Sequence, residues 1–413
     1  MNREVPAAWA PRHAHHVGTD EFFSDPYPTW SELHAAGGIG FHADEQTWLV
    51  TRHDDAIALL KDPRLSKCTG AGDPSPLSSA MLFQDPPTHG RLRSAVSDWF
   101  TAARVRSMES RIAAVADRLI DQVAMARHAD FMSAFAVPLP IAVVAGIIGV
   151  PQGDLDSLHR WSRALSQTGG DVDAQRRSHG AAIEAMAACF ETLIDRRASA
   201  PEDDLLSALL ADRPSGDRLS RREIVGTCML LLIAGHETTV NLLGNGMAAL
   251  LQHPDQYARL RTDRSLLPSA IEEMLRFESP VQRSTYRVAR EPIEIRGRTI
   301  HPGQAVAALI GAANRDPSVF PDPHRFDIAR SPNRHIAFGS GVHACLGAML
   351  ARTEARIAFE RLFDRLGEMR AAAPRRSGLI GRVMDSVAPP ARGPLCWQRS
   401  TMVRGLEALD VQW

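Results

Sequence analysis

The stretch "HIAFGSGVHACLGAMLAR", residues 335–352, sets one cysteine behind two glycines and just ahead of a third, at the start of a helix-like run. A buried thiolate needs positive potential, and the backbone N–H groups at a helix start supply it. Gly339, Gly341 and Gly347 let the backbone turn and approach a bulky flat partner. Phe338 can pack beside the sulfur and keep water out. One thiolate of this kind can hold a haem iron axially and push electron density toward O–O cleavage. Three plainer chemistries fit the same residues. Cys345 could be a buried structural thiol, a nucleophile served by His343 as base, or part of a phosphate cradle. The last lacks the strand-GxGxxG-helix setting it needs.

A second group lies at 234–239, "AGHETT". An acid and an alcohol side by side, Glu237 and Thr238, can relay protons. Alternatively, Thr238 simply bonds back to the carbonyl four residues earlier. A third is Glu273 with Arg276 in "EEMLR"; residues three apart on a helix face each other and can pair bidentately. Taken alone, such a pair is a solvated salt bridge worth a few tenths of a kcal/mol.

The elements that must position these groups are mostly helical. Ser220 and Glu223 form a capping box, and the pattern then runs without proline to Pro254. About 32 residues span ~48 Å, so a helix this apolar must cross the middle of the molecule. Further helices are expected over 89–126, 137–150, 176–198, 266–277 and from the cysteine turn to Leu366. A strand and helix fill 47–60. Residues 63–87 read as a long Gly/Pro/Ser-rich loop. Residues 284–300 alternate like strands, with a turn at Arg296–Gly297. Strands fall toward the two ends, which gives one large, mainly α domain over 1–413 with 1–20 a flexible N-terminal segment.

Composition narrows the classes. The net charge of −1 argues against nucleic acid or an anionic membrane surface as a global partner. Lys61 and Lys67 are the only lysines. Cys68, Cys189, Cys228, Cys345 and Cys396 are odd in number and contain no CxxC pair, which reads as reduced thiols in the cytoplasm. The N-terminus lacks a signal-peptide core. No apolar run reaches the ~18 residues of a membrane span. His13, His15 and His16 read as a surface tract rather than a metal site.

Phe338, Gly341, Cys345 and Gly347 reproduce the Phe-x-x-Gly-x-x-x-Cys-x-Gly signature of the cytochrome P450 family, which the chain resembles over roughly residues 20–413, on its soluble bacterial, actinomycete-like branch. The resemblance implies the P450 fold and makes Cys345 the ligand of haem b iron. Ala234, Gly235, Phe338, Gly339 and Gly347 then lie against the haem. Glu237 and Thr238 become the acid–alcohol pair, because dioxygen must take up two protons before its O–O bond breaks. Glu273 and Arg276, with Arg325 of "PHRF" as a third member, become a buried lock around the cysteine loop. His89 and Arg93 of "DPPTHGRLR", with Arg287 and His343, become cationic partners of the two haem propionates.

By position, Leu82, Phe83, Leu231, Val281, Arg283, Ser284, Met402 and Val403 surround a substrate, with the segment near Leu165–Thr168. Their apolar character implies a ligand with a sizeable apolar face. Arg283 either pairs with a substrate acid or reaches solvent. No flavin or iron–sulfur motif occurs, so two electrons come from outside. The resemblance implies NAD(P)H, a ferredoxin reductase and a ferredoxin docking near Arg91, Arg104, Arg106, Arg352 and Arg356. The expected reaction is O2-dependent hydroxylation or epoxidation of a small natural product in secondary metabolism. The alternative is oxidative coupling or cyclisation of an aromatic or peptide substrate without oxygen insertion. Residues 374–396 are a surface insertion.

Overall fold

In a computed structural model the chain is described over residues 17–68, 75–166, 172–212, 218–372 and 395–413. The N-terminal histidine tract, Thr168 and nearly all of the 374–396 insertion lie outside those residues.

The central helix, Arg221–Gln252, begins where the capping box puts it. Ser220 Oγ accepts from Glu223 N, and Glu223 Oε2 accepts from Ser220 N at 2.8 Å. Pro254 cannot continue it and opens a separate helix. It is long and apolar enough to cross a membrane, yet 72% of its most apolar window is buried inside the protein. It is apolar all round because helices pack on every side: Pro138–Ile148, Val172–Ser199, Leu267–Phe277 and Ala348–Leu366. Each Leu, Met or Val so covered contributes ~1.5–3 kcal/mol. Gly226 marks a close approach, since a Cβ there would stand 2.3 Å from the Pro76 carbonyl oxygen.

That carbonyl belongs to the stretch read as loop. Within residues 75–87 it forms two short 3-10 turns: Pro76–Ser79, which lies against the central helix, and Met81–Phe83, which packs on Thr88–Ser97. The helical region 89–126 divides into Thr88–Ser97 and Ala102–Val123, because Thr101 starts a new helix by accepting from Arg104 N. The remaining expected helices stand at Val172–Ser199, Leu267–Phe277 and Ala348–Leu366.

The strands form small sheets at the flanks. The five-stranded one runs in the order Ile39–His42, Thr47–Val50, Ala305–Ala308, Arg287–Ala289, Leu65–Ser66. Its apolar face packs on Leu59 and Leu60 of the His53–Lys61 helix in a second core. The turn at Arg296–Gly297 takes positive φ at both residues, 48° and 72°, as a two-residue hairpin requires. The closing strand Asp410–Gln412 pairs with Arg370–Ala371 and with His128–Asp130, a strand the alternation pattern does not reveal. The mainly α class with peripheral sheets is what the sequence leads one to expect.

Candidate active site

The cysteine loop is held from behind. Glu273 and Arg276 are completely buried, and two hydrogen bonds of 2.7 and 2.8 Å join them. The other Arg276 protons go to the carbonyls of Asn314, Pro323 and Arg325. Asn314 passes the constraint on: its Oδ1 accepts from Ile336 N at 2.7 Å, at the entrance to the loop. Glu273 also accepts from Asp327 N, Asn333 Nδ2 and Arg330 Nε. The third side chain of the lock, after Glu273 and Arg276, is therefore that of Arg330. Arg325 enters only through its carbonyl, and its own side chain is exposed, which corrects the expectation.

Within the loop, Gly339 and Gly341 have φ of 70° and 74°, a region L side chains avoid. A Cβ on Gly341 would stand 2.7 Å from the Leu60 carbonyl oxygen. Cys345 N donates to Phe338 O at 2.9 Å, closing the turn. Burial raises the Cys345 thiol pKa, while the Gly347 N–H, Arg93 and Arg352 pull it back. Arg352 lies over the Phe338 ring at 4.3 Å and pairs with Glu272 at 2.6 Å. Burial works to raise the Glu272 pKa, but hydrogen bonds from Arg352 and His335 carry it down to about 2.

Cys345 opens onto a large cavity. Its wall includes His89, Arg93, Leu82, Leu231, Ala234, Gly235, Thr238, Val281, Arg283, Ser284, Arg287, Phe338, Gly339, His343, Gly347, Met402 and Val403. The cavity is about 370 Å³, within the roughly 300–1,000 Å³ of small-molecule pockets.

Two expected residues are not on this wall. Successive side chains of a 3-10 turn point some 120° apart; Met81 and Leu82 line the cavity while Phe83 packs on the main core. Glu237 also faces elsewhere. Adjacent helical residues diverge by about 100°; Thr238 looks into the cavity, whereas Glu237 is buried beside His236 and bonds Ser162 of the Leu155–Ser166 helix. Burial pushes the Glu237 pKa up to about 7. The Thr238 hydroxyl donates to Ala234 O at 2.7 Å, the back-bond that was the plainer reading. Arg283 pairs with Glu45, so its charge already has a partner. Ser284 Oγ accepts from Ala308 N at 3.0 Å, tying its segment to the sheet.

One cation was missed. Lys67 is 2% exposed, bonds the Thr285 hydroxyl and lines the cavity with Arg287. Burial and the Arg287 charge bring the Lys67 pKa down to about 7. Burial takes Arg287 down to about 10 and, with the His89 charge, His343 down to about 3. His89 and His343 stack edge to face at 4.3 Å. The one carboxylate acting on both Lys67 and Arg287 is Asp85, and it is engaged by Ser66, the Lys67 N–H and Arg290. Buried like charges crowded in this way are unfavourable unless an anion enters. A flat dianion whose metal meets the cysteine sulfur fits this donor set. Nothing but its place directly after the Leu65–Ser66 strand marks Lys67 in the sequence.

The sequence model of the cytochrome P450 family matches residues 171–366. The cytochrome P450 monooxygenase PikC of Streptomyces venezuelae is 41% identical over 406 residues, covering 95% of this chain and 92% of that protein. The 6-deoxyerythronolide B hydroxylase of Saccharopolyspora erythraea is 37% identical over 414 residues, covering 95% and 97%. Among solved structures, P450BioI, crystallised with an acyl carrier protein bearing hexadec-9Z-enoic acid, superposes with a TM-score of 0.85. It is 39% identical and the match covers 96% of this chain and all of that one.

Proposed function

The chain belongs to the cytochrome P450 family, as a haem-thiolate monooxygenase, and from that premise we propose that it hydroxylates or epoxidises a small, largely apolar natural product of secondary metabolism. The observation that carries this reading is a single cavity with Cys345 at its base, buried cations on one wall and otherwise apolar lining. Bound there, haem b supplies the activation of O2 and the transfer of one oxygen atom.

The chain's own residues divide the remaining work. Cys345 holds the iron. Lys67, His89, Arg93, Arg287 and His343 hold the propionates through charge-assisted hydrogen bonds. Phe338 and Arg352, stacked at 4.3 Å beside the loop, would shield the sulfur from water on that side. Thr238 presents a hydroxyl to the oxygen side, and Glu237 stores a proton behind it. Leu82, Leu231, Val281, Met402 and Val403 select for an apolar substrate face by excluding water.

Electrons come from an external partner, which we take to be a ferredoxin reduced through a reductase by NAD(P)H in the cytoplasm. Val342 and Met349 are 55% and 45% exposed beside the cysteine loop, an apolar centre of the kind a transient partner covers. Of the arginines expected to receive it, Arg91, Arg104, Arg352 and Arg356 are already paired with Glu223, Asp203, Glu272 and Glu109. Arg106 is exposed on the helix that packs against Ala348–Leu366. The relatives named are a monooxygenase and a hydroxylase, so oxygen insertion is preferred over coupling. Candidate substrates are screened by the shift of the haem spectrum, and hits are turned over under labelled dioxygen. One labelled atom in the product is expected; a product formed without label overturns the reading.

A further inference from the structure

Behind the central helix, away from the cavity wall, three side chains with metal-binding atoms meet. His236 and Glu237 leave the central helix toward Leu155–Ser166, and His159 of that helix faces them. One ligand atom from each lies within 4.8 Å of the other two. His236 Nδ1 and Glu237 Oε1 are 3.5 Å apart, and the two imidazoles meet edge to face at 5.1 Å.

Each residue also carries an unsatisfied buried atom. His159 Nδ1, His236 Nε2 and Glu237 Oε1 have no hydrogen-bond partner. His236 is fully buried and Glu237 is 4% exposed. A buried polar atom left in this way is destabilising by ~1–3 kcal/mol, and His236 Nδ1, the atom that faces Glu237 Oε1, has beyond it a 3.5 Å contact to Ser162 Oγ, so the cluster has room for a common partner. Among the described residues no other group of three His, Cys, Asp or Glu side chains gathers so closely.

We propose that His159, His236 and Glu237 form a binding site for a zinc ion, separate from the haem cavity. Two imidazoles and one carboxylate are a set that zinc accepts, with a fourth position left for water. Zinc–ligand bonds of ~2.0–2.1 Å in a tetrahedron put ligand atoms ~3.3–3.4 Å apart. The His236–Glu237 pair stands close to that spacing, and His159, half-buried at the edge of its helix, closes the rest by side-chain rotation. The ion would pin Leu155–Ser166 to the central helix one residue from Thr238 and would displace the proton that Glu237 stores in the zinc-free enzyme.

The test uses the ferric holoenzyme with the N-terminal tract removed as a competitor by His13→Asn, His15→Asn and His16→Asn. Zinc chloride is titrated against a chromophoric chelator, and the bound metal is examined by zinc K-edge X-ray absorption. One equivalent is expected, with only nitrogen and oxygen neighbours at ~2.0–2.1 Å. His159→Ala, at the half-buried edge, should weaken binding by more than the 10–100-fold typical of an outer-shell loss, with the haem spectrum unchanged. No stoichiometric zinc, sulfur scattering, or affinity unaltered in His159→Ala would each overturn the proposal.

Discussion

Replacing Lys67 with methionine keeps the volume of the side chain and removes its charge. Without an anion, burial and Arg287 hold the Lys67 pKa at about 7 against an ordinary 10.5, which is ~5 kcal/mol of penalty on the charged form at ~1.4 kcal/mol per pH unit. A propionate facing the ammonium lifts that penalty, and what methionine then loses is one charge-assisted hydrogen bond, ~1.5–3 kcal/mol. Haem transfer from the ferric holoenzyme to an excess of high-affinity apoglobin should therefore quicken by roughly 10–150-fold. The sign of the pH effect follows. Without the anion Lys67 is neutral above about pH 7; with it the lysine stays charged toward its ordinary value. Binding thus takes up a proton between those limits, and haem retention weakens as pH rises from about 7, by at most tenfold per unit. Below pH 7 Lys67 contributes no slope. Asp85, Arg287, His89 and His343 share the site, and Arg287 titrates only at about 10, so the window from 7 to 9 belongs to Lys67. Equal haem loss in both proteins, or the same slope in the variant across that window, would refute the reasoning.

Cys345→Ala should abolish the long-wavelength Soret band of the ferrous carbon monoxide complex, and a surviving band would show that the sulfur does not hold the iron. Thr238→Ala should keep the haem spectrum and the substrate-induced shift while diverting reducing equivalents to hydrogen peroxide; unchanged coupling of NAD(P)H to product would remove the hydroxyl from proton delivery. Glu273→Ala leaves Arg276 buried without its carboxylate and strands the Asp327 N–H and Asn333 amide, at ~3–5 kcal/mol. With an unfolding entropy of ~2.1 cal/mol/K per residue over the whole chain, the thermal midpoint should fall by ~4–6 °C. A drop under 1 °C by calorimetry of the holoenzyme would mean the pair is not the lock it resembles.

What the sequence makes legible here is what lies close together along it. The cysteine turn is written in ten consecutive residues, and the central helix in one capping box and one unbroken apolar run. Lys67 is not legible, because its place depends on strand pairing: Ser66 sits opposite Val288, which brings position 67 beside Arg287 from more than two hundred residues away. Arg330 supplants Arg325 for a related reason. Both lie in an irregular segment without periodicity, so only the folded backbone decides which guanidinium turns toward Glu273. Phe83 fails because a short 3-10 turn, unseen in a proline-rich stretch, sends it to the core.

Neighbours on a helix diverge by about 100°, and here Thr238 lines the cavity while Glu237 turns toward Leu155–Ser166, so this acid–alcohol pair works across the helix edge. The consequence bears on proton delivery. Thr238 has one hydroxyl proton, and it is committed to Ala234 O. As it stands the hydroxyl offers only lone pairs to the cavity. In the relay proposed above, the hydroxyl must let go of that carbonyl before it can pass a proton on, and Glu237 resupplies it. A Cβ at Gly235 would stand 3.2 Å from Val144 Cγ2, so a side chain there presses on Val144 beside that relay. Gly235→Ala should lower coupling in the same direction as Thr238→Ala while leaving haem binding intact. Full coupling in Gly235→Ala would mean that protons reach the cavity by another route.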